Sequence, residues 1–282
     1  MIIEFLKFII YSVVIVLISK YILVVTLRKL AEVLSLKPKT VGNIAGIATS
    51  MPELLTIVFS SFNGLITTSI INVLSSNVIN VVQYSMAILL NKNQKLLKNK
   101  AIFTDIILVA ITILLPLILV LGNVKMNIKV APIFMILYIV FLIINNRVHE
   151  KYLKKEDEKI EEEIEKEEQI ELKNRNRLVL YILLLAITGI LLFVVGDSLG
   201  NTLENLCNIF GISQTIIGIL LGFITSIPEL ITFFESQRHY KKNESDDLLG
   251  VVEATNNLFT SNIMNLFIIQ TIGILIYSKI SI

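Results

Sequence analysis

Residues 42–60 read GNIAGIATSMPELLTIVFS, and residues 218–236 read GILLGFITSIPELITFFES. At a constant offset of 176 the two stretches share nine of nineteen positions: Gly42/Gly218, Gly46/Gly222, Thr49/Thr225, Ser50/Ser226, Pro52/Pro228, Glu53/Glu229, Leu54/Leu230, Thr56/Thr232 and Ser60/Ser236. Apolar helices coincide easily at Leu, Ile and Val. These matches are mostly Gly, Pro, hydroxyl and carboxylate, which marks an internal duplication. A second pair follows, 72-NVLSSNVIN-80 against 257-NLFTSNIMN-265, at an offset of 185. The second copy therefore carries nine extra residues, around RHYKKNESDD. Each copy predicts a helical hairpin, a T-S-x-P-E helix followed by an S-N-x-x-N helix.

The surroundings of both copies are apolar. Hydrophobic residues are 54% of the 282-residue chain and charged residues 17%, and the mean hydropathy is +0.76. Soluble domains are less apolar and more charged than this. Runs of about 20 apolar residues, the length that crosses a hydrocarbon core, fall at about 3–27, 40–62, 66–90, 101–122, 128–145, 178–199, 212–234 and 248–277. The chain reads as an all-α integral membrane protein of about eight spans. The first run carries Glu4 and Lys7, has no small-x-small cleavage site and is too long for a signal peptide, so it counts as a span.

Basic residues orient the bundle. Twenty of 25 fall on one side: Arg28, Lys29, Lys37 and Lys39; Lys92, Lys95, Lys98 and Lys100; nine from Arg147 to Arg177; and Arg238, Lys241 and Lys242. The positive-inside rule places this side in the cytoplasm and both termini outside. The second span then enters from the cytoplasm and the seventh from outside, so the two hairpins are inverted. Three parts follow: a first transmembrane half at 1–146 with its repeat at 40–90, a charged linker at 147–177, and a second half at 178–282 with its repeat at 212–277. The linker holds 11 acidic residues between Glu150 and Glu171, with i,i+4 pairs such as Glu162 and Lys166. It reads as a solvated cytoplasmic helix, since it lacks the D-x-[DN]-x-[DN]-G spacing of a calcium loop.

A carboxylate near the bilayer middle is costly and is a functional group by default. Glu53 and Glu229 both lie there. Pro52 and Pro228 remove a backbone N–H and open the helix near Ala48 and Ile224, while Gly46 and Gly222 admit a second backbone. Thr49, Ser50, Thr225, Ser226, Ser76 and Ser261 supply hydroxyl oxygens, and Asn80 and Asn265 supply amide oxygens. An oxygen-only set with two carboxylates suits a hard cation, Ca²⁺ or Na⁺, and not zinc or copper. Asn77 and Asn262 divide evenly between helix packing and the site. Glu235 and Glu253 are left as gate or vestibule residues. Asp105, Asp197 and Glu204 are expected near the interfaces, and His149 and His239 as solvated loop residues. One cysteine, Cys207, forms no internal disulfide.

These motifs resemble the alpha repeats of the cation/calcium exchanger superfamily, which includes the sodium/calcium exchangers. The family pattern is G-x-x-x-G-x-x-T-S-x-P-E, present here at 42–53 and 218–229, and G-N-x-x-G-S-N-x-x-N, present in weakened form at 72–80 and 257–265. The resemblance implies an exchanger-like fold lacking the last two of ten helices. It implies Glu53 and Glu229 as principal Ca²⁺ ligands, with Thr49, Ser50, Thr225, Ser226, Ser76, Ser261, Asn80 and Asn265 completing Na⁺ and Ca²⁺ sites. The carbonyls of Gly46 and Gly222 join them, and the first and sixth spans slide against the rest. Ser75 and Thr260 replace the motif glycine before Ser-Asn and are expected to push the hairpin helices apart.

The expected activity is antiport of Ca²⁺ against Na⁺ (or H⁺) by alternating access in the plasma membrane. The second reading is a degenerate, non-transporting homologue that senses ions or binds partners. No nucleophile–base pair supports an enzyme, no cofactor is expected, and a net charge of +2 without a basic aromatic patch excludes nucleic acid. The partners are inorganic cations and the bilayer, and a homo-oligomer is left open.

Overall fold

The computed structural model describes residues 2–34, 36–122, 128–153, 175–242 and 247–280. Eight helices are long and apolar enough to cross a membrane: α1 Ile2–Leu27, α2 Pro38–Phe62, α3 Ile66–Leu90, α4 Lys100–Leu119, α5 Ala131–Tyr152, α6 Leu178–Ile209, α7 Gln214–Arg238 and α8 Asp247–Lys279. No strand occurs among the described residues. The expected spans are all present, with α5 and α6 running further than their apolar cores. The linker helix expected within 147–177 falls mostly outside the described residues, apart from the end of α5 and residues 175–177, which lead helically into α6.

Both T-S-x-P-E helices are broken at the serine. In α2 the helix Pro38–Thr49 gives way to Met51–Phe62, and in α7 Gln214–Thr225 gives way to Ile227–Lys242. Ser50 and Ser226 hold the same backbone geometry, φ −80° and ψ 0°. The cause is the proline two residues on, which cannot bond the carbonyl four residues earlier but fits the first turn of a new helix. Each break leaves Glu53 or Glu229 in the first turn of the second half-helix, where the helix dipole favours a negative charge.

The copies interlock. The first half of α2 packs on the N-terminal part of α8, and the first half of α7 packs on α3. Glycine makes both contacts possible. A Cβ on Gly46 would meet the Asn257 carbonyl at 2.7 Å and Thr260 Cβ at 2.8 Å, while one on Gly218 would meet Thr68 O at 2.9 Å. Gly42 faces the Glu253 carbonyl, and Gly222 faces Ser75 Oγ. Ser75 and Thr260 thus do not push their own hairpins apart; they seat on Gly222 and Gly46 of the other copy. Ser75 Oγ also donates to Gly218 O at 3.3 Å, and Thr260 Oγ1 to Asn43 Oδ1 at 2.9 Å.

The remaining helices flank this core. On one side α1 and α6 pack together, and α6 closes on α2 where Gly196 and Gly200 meet the Phe59 ring and its Cβ. On the other side α4 and α5 lie against α8, with Phe134 and Phe141 edge-on to Phe267 at 5.6 and 5.2 Å. Only 11% of the apolar window of α6 is buried, against 72% for α8. α8 is therefore the axis of the bundle, and α6 presents its Ile, Leu and Val side chains outward as lipid-facing helices do.

Candidate cation site

All twelve residues expected at the site come together where α2, α3, α7 and α8 cross, and all are buried. The arrangement obeys the pseudo-twofold. The hydroxyls of Ser76 and Thr225 approach the Glu53 carboxylate, and those of Ser261 and Thr49 approach Glu229. Each glutamate thus faces hydroxyls of its own copy's second helix and of the other copy's broken helix, although around Glu53 these stop short of hydrogen-bond geometry. Ser261 Oγ donates to Glu229 Oε1 at 3.1 Å, Ser50 Oγ to Ser261 Oγ at 3.1 Å, and Ser76 Oγ lies 3.4 Å from Thr225 Oγ1. The two carboxylates are close enough to repel one another.

Around this centre sits a set of oxygens with no hydrogen-bond partner. They are both carboxylate oxygens of Glu53, Oε2 of Glu229, Oδ1 of Asn80, Oδ1 of Asn265 and Oγ of Ser226. Buried polar atoms are normally satisfied, and a cluster of five unpartnered acceptors and one hydroxyl is a donor set that a cation would satisfy. Oxygen donors alone suit a hard ion. Among the described residues no group of three His, Cys, Asp or Glu side chains forms a metal cluster, so the cage holds two carboxylates and no more.

The amide oxygens are turned inward by a second pair of asparagines. Asn80 Nδ2 donates to Asn262 Oδ1 and Asn265 Nδ2 to Asn77 Oδ1, both at 3.2 Å. Asn77 and Asn262 in turn donate their own amides to each other's backbone carbonyl. With its nitrogen held, each of Asn80 and Asn265 presents its oxygen to the cage. The Gly46 and Gly222 carbonyls already accept from Ser50 Oγ at 2.9 Å and Ser76 Oγ at 3.4 Å.

Four further residues escaped notice in the sequence as parts of the site. Asn72 Nδ2 donates to Thr56 Oγ1, which donates to the Glu53 carbonyl at 2.9 Å. Asn257 Nδ2 donates to Thr232 Oγ1, which donates to the Glu229 carbonyl at 2.9 Å. These twin relays pin the first turn of each second half-helix, and their duplication at both offsets was the available signal. Glu253 is buried and accepts from Ser236 Oγ at 2.6 Å. It lines a small pocket beside the cage with Thr232, Val41 and Ala45, whereas Glu235 is exposed.

Two expectations are corrected. His149 is no solvated loop residue but lies buried on α5 with Nε2 2.7 Å from Asp105 Oδ2, and Asp105, near the Lys100 end of α4, is enclosed by protein where solvent contact was expected. The cause is the length of α5, which stays helical to Tyr152 through the charged sequence NNRVHEKY and turns the imidazole inward. Asp197 is exposed and Glu204 half-buried. The side chain of His239 lies outside the described residues.

Four spans, α3 to α6, lie between α2 and α7, so equivalent half-helices point in opposite directions. An all-α membrane protein with inverted broken hairpins around an oxygen cage has the build of a secondary transporter. The family described as "Sodium/calcium exchanger protein" matches residues 5–146 and 180–282, and the chain belongs to it. Solved structures show the same fold. The sodium-calcium exchanger NCX_Mj soaked with 10 mM Na⁺ and zero Ca²⁺ aligns with a TM-score of 0.55 at 20% identity over 98% of this chain and 84% of that one. The H⁺/Ca²⁺ exchanger CAX aligns with a TM-score of 0.63 at 15% identity over 96% of this chain and 69% of that one. No curated protein sequence matches the chain.

Proposed function

We propose that this protein exchanges Ca²⁺ for a monovalent cation, Na⁺ or H⁺, across the membrane by alternating access, with Glu53 and Glu229 as the ion-binding carboxylates. The observation that carries the reading is the cluster of unpartnered oxygens from Glu53, Glu229, Asn80, Asn265 and Ser226. Two adjacent buried carboxylates cannot both stay ionised in a dry, empty cage. They hold one Ca²⁺, two Na⁺ or two protons, and the empty charged cage is poorly able to cross between inward-open and outward-open states. Required occupancy is what couples the two ions.

Ser76, Ser261, Thr49, Ser50, Thr225 and Ser226 supply hydroxyl or carbonyl oxygens, and the Gly46 and Gly222 carbonyls sit at the C-terminal, negative end of each first half-helix. Glu253 and its pocket form a vestibule. The lysine-rich side is cytoplasmic, both termini are outside, and the plasma membrane is the expected location. α1 and α6 slide as a pair. In proteoliposomes, an imposed Na⁺ or H⁺ gradient should drive ⁴⁵Ca²⁺ uptake that Glu53→Gln and Glu229→Gln each abolish. Ca²⁺ binding without flux under either gradient would instead identify an ion sensor.

A further inference from the structure

α4 and α5 carry no copy of the repeat, yet they enclose a polar cluster of their own. Asp105 on α4 is 0% exposed and His149 on α5 is 2% exposed. His149 Nε2 lies 2.7 Å from Asp105 Oδ2. Asn145, one turn along α5, donates to the other oxygen, Oδ1, at 2.8 Å and reaches Asn256 Oδ1 on α8 at 3.3 Å. The second imidazole nitrogen, Nδ1, is buried and has no partner. A carboxylate and an imidazole placed together in an apolar helix contact are costly unless they hold a proton between them.

We propose that Asp105 and His149 form a proton-binding site, separate from the cation cage but linked to it. The proton adds at His149 Nδ1 while Nε2–H stays donated to the Asp105 carboxylate. The pair then passes from a net charge of −1 to zero. The proposal rests on the exchanger reading for its second half, since the linked ligand is Ca²⁺ in the cage.

The charged and titratable groups around the pair come from several helices; from α2, Lys39 Nζ donates to Asn146 Oδ1 at 2.8 Å, one residue from Asn145. From α4 comes Asp105 itself, and Lys100 nearer the helix end lies over the Tyr152 ring. From α8 come Asn256 and, one turn toward its N-terminus, Glu253, which is held by Ser236. From α3 comes Tyr84, whose hydroxyl is 2.7 Å from Thr255 Oγ1. Among these groups His149 is the one whose side chain becomes a cation by taking up a proton at an unpartnered buried nitrogen.

The link to the cage runs through adjacent residues of α8. Asn256 receives the Asn145 amide, and Asn257 beside it bonds Thr232, which bonds the Glu229 carbonyl. The sign follows from charge. A proton on the pair adds positive charge to a low-dielectric bundle, so it disfavours Ca²⁺ in the cage, and Ca²⁺ disfavours the proton by the same factor. The pair lies toward the lysine-rich end of α5, so the protons it reads are those of that side, and acid there weakens Ca²⁺ binding.

The chain has two histidines, so one substitution isolates the signal. ¹⁵N-histidine-labelled protein carrying His239→Gln, reconstituted in lipid nanodiscs, gives a spectrum that separates neutral imidazole from imidazolium. His149 should convert from neutral imidazole to imidazolium as pH is lowered. At a fixed intermediate pH, saturating Ca²⁺ should return imidazolium to the neutral form. Asp105→Asn should leave His149 neutral throughout. In ⁴⁵Ca²⁺ binding, the loss of affinity from about pH 8 to about pH 6 should be about fivefold smaller in His149→Gln than in wild type. A His149 that does not titrate, or that titrates alike with and without bound Ca²⁺, overturns the proposal. If ⁴⁵Ca²⁺ does not bind the wild-type protein at all, the exchanger reading fails and the linkage falls with it, an outcome the binding assay identifies independently of the histidine signal.

Discussion

Asn77 and Asn262 each donate their side-chain amide to the other's backbone carbonyl, at 3.1 Å in both directions. This reciprocal clamp ties α3 to α8 on the pseudo-twofold, and its two remaining oxygens fix the amides of Asn265 and Asn80. One pair of residues thus both joins the two copies and aims two cage oxygens. Asn77→Ala leaves a buried carbonyl and a buried amide without partners, a loss of about 1–3 kcal/mol. Thermal unfolding should show that destabilisation, and ⁴⁵Ca²⁺ binding should weaken because the Asn265 oxygen is free to turn away. Unchanged affinity in a folded Asn77→Ala protein would separate the clamp from the cage.

The glycine contacts predict opposite outcomes for the same substitution. Gly46→Ala places a methyl 2.7 Å from the Asn257 carbonyl, so α2 must move from α8, at a cost of about 1–3 kcal/mol. Gly189 in α6 has open space around the Cβ it lacks, so Gly189→Ala should be neutral or stabilise by up to about 1 kcal/mol. Expression level and melting temperature measured side by side test the pair.

Thr56→Val and Thr232→Val keep the volume and remove the hydroxyl that joins Asn72 or Asn257 to a glutamate carbonyl. Each leaves an asparagine amide unpaired beside the cage. Both variants should bind Ca²⁺ more weakly than wild type, by about tenfold, and to similar extents because the relays are twins. A large effect at one threonine and none at the other would show that the copies are not functionally equivalent.

Much of this arrangement was legible in the sequence because a duplication preserves residue types that apolar spans do not need. The breaks at Ser50 and Ser226, the burial of Glu53 and Glu229 and the inversion of the hairpins all follow from Pro, from carboxylates at mid-span and from the lysine pattern. The partnering of the helices did not follow. Pattern pairs each S-N-x-x-N helix with its own T-S-x-P-E helix, whereas the closest contact is across copies. Only the matching of Ser75 to Gly222 and Thr260 to Gly46 decides that, and such matches are three-dimensional. Asp105 and His149 were illegible for another reason. They lie outside the repeat, and a histidine within RVHEKY looks solvated until the helix is known to continue past it.

The cage contains two carboxylates, and its other side-chain oxygens, from Asn80, Asn265 and Ser226, are neutral. A balanced exchange of one Ca²⁺ for two monovalent cations therefore moves no net charge. Ca²⁺ uptake into proteoliposomes should be unchanged when a potassium diffusion potential of either sign is imposed at a fixed ion gradient. Uptake that rises under one sign and falls under the other would mean that the number of monovalent ions returned per Ca²⁺ is not two, fewer or more according to which sign accelerates it.

The central claim is that Glu53 and Glu229 carry Ca²⁺ through the membrane, and gradient-driven ⁴⁵Ca²⁺ uptake tests it most directly. Wild-type protein in proteoliposomes should accumulate Ca²⁺ under an outward Na⁺ or H⁺ gradient, and the gradient that works names the counter-ion. Glu53→Gln and Glu229→Gln, folded to the same melting profile, should each abolish uptake. Uptake retained in either variant, or absent from well-folded wild type under both gradients, would contradict the account.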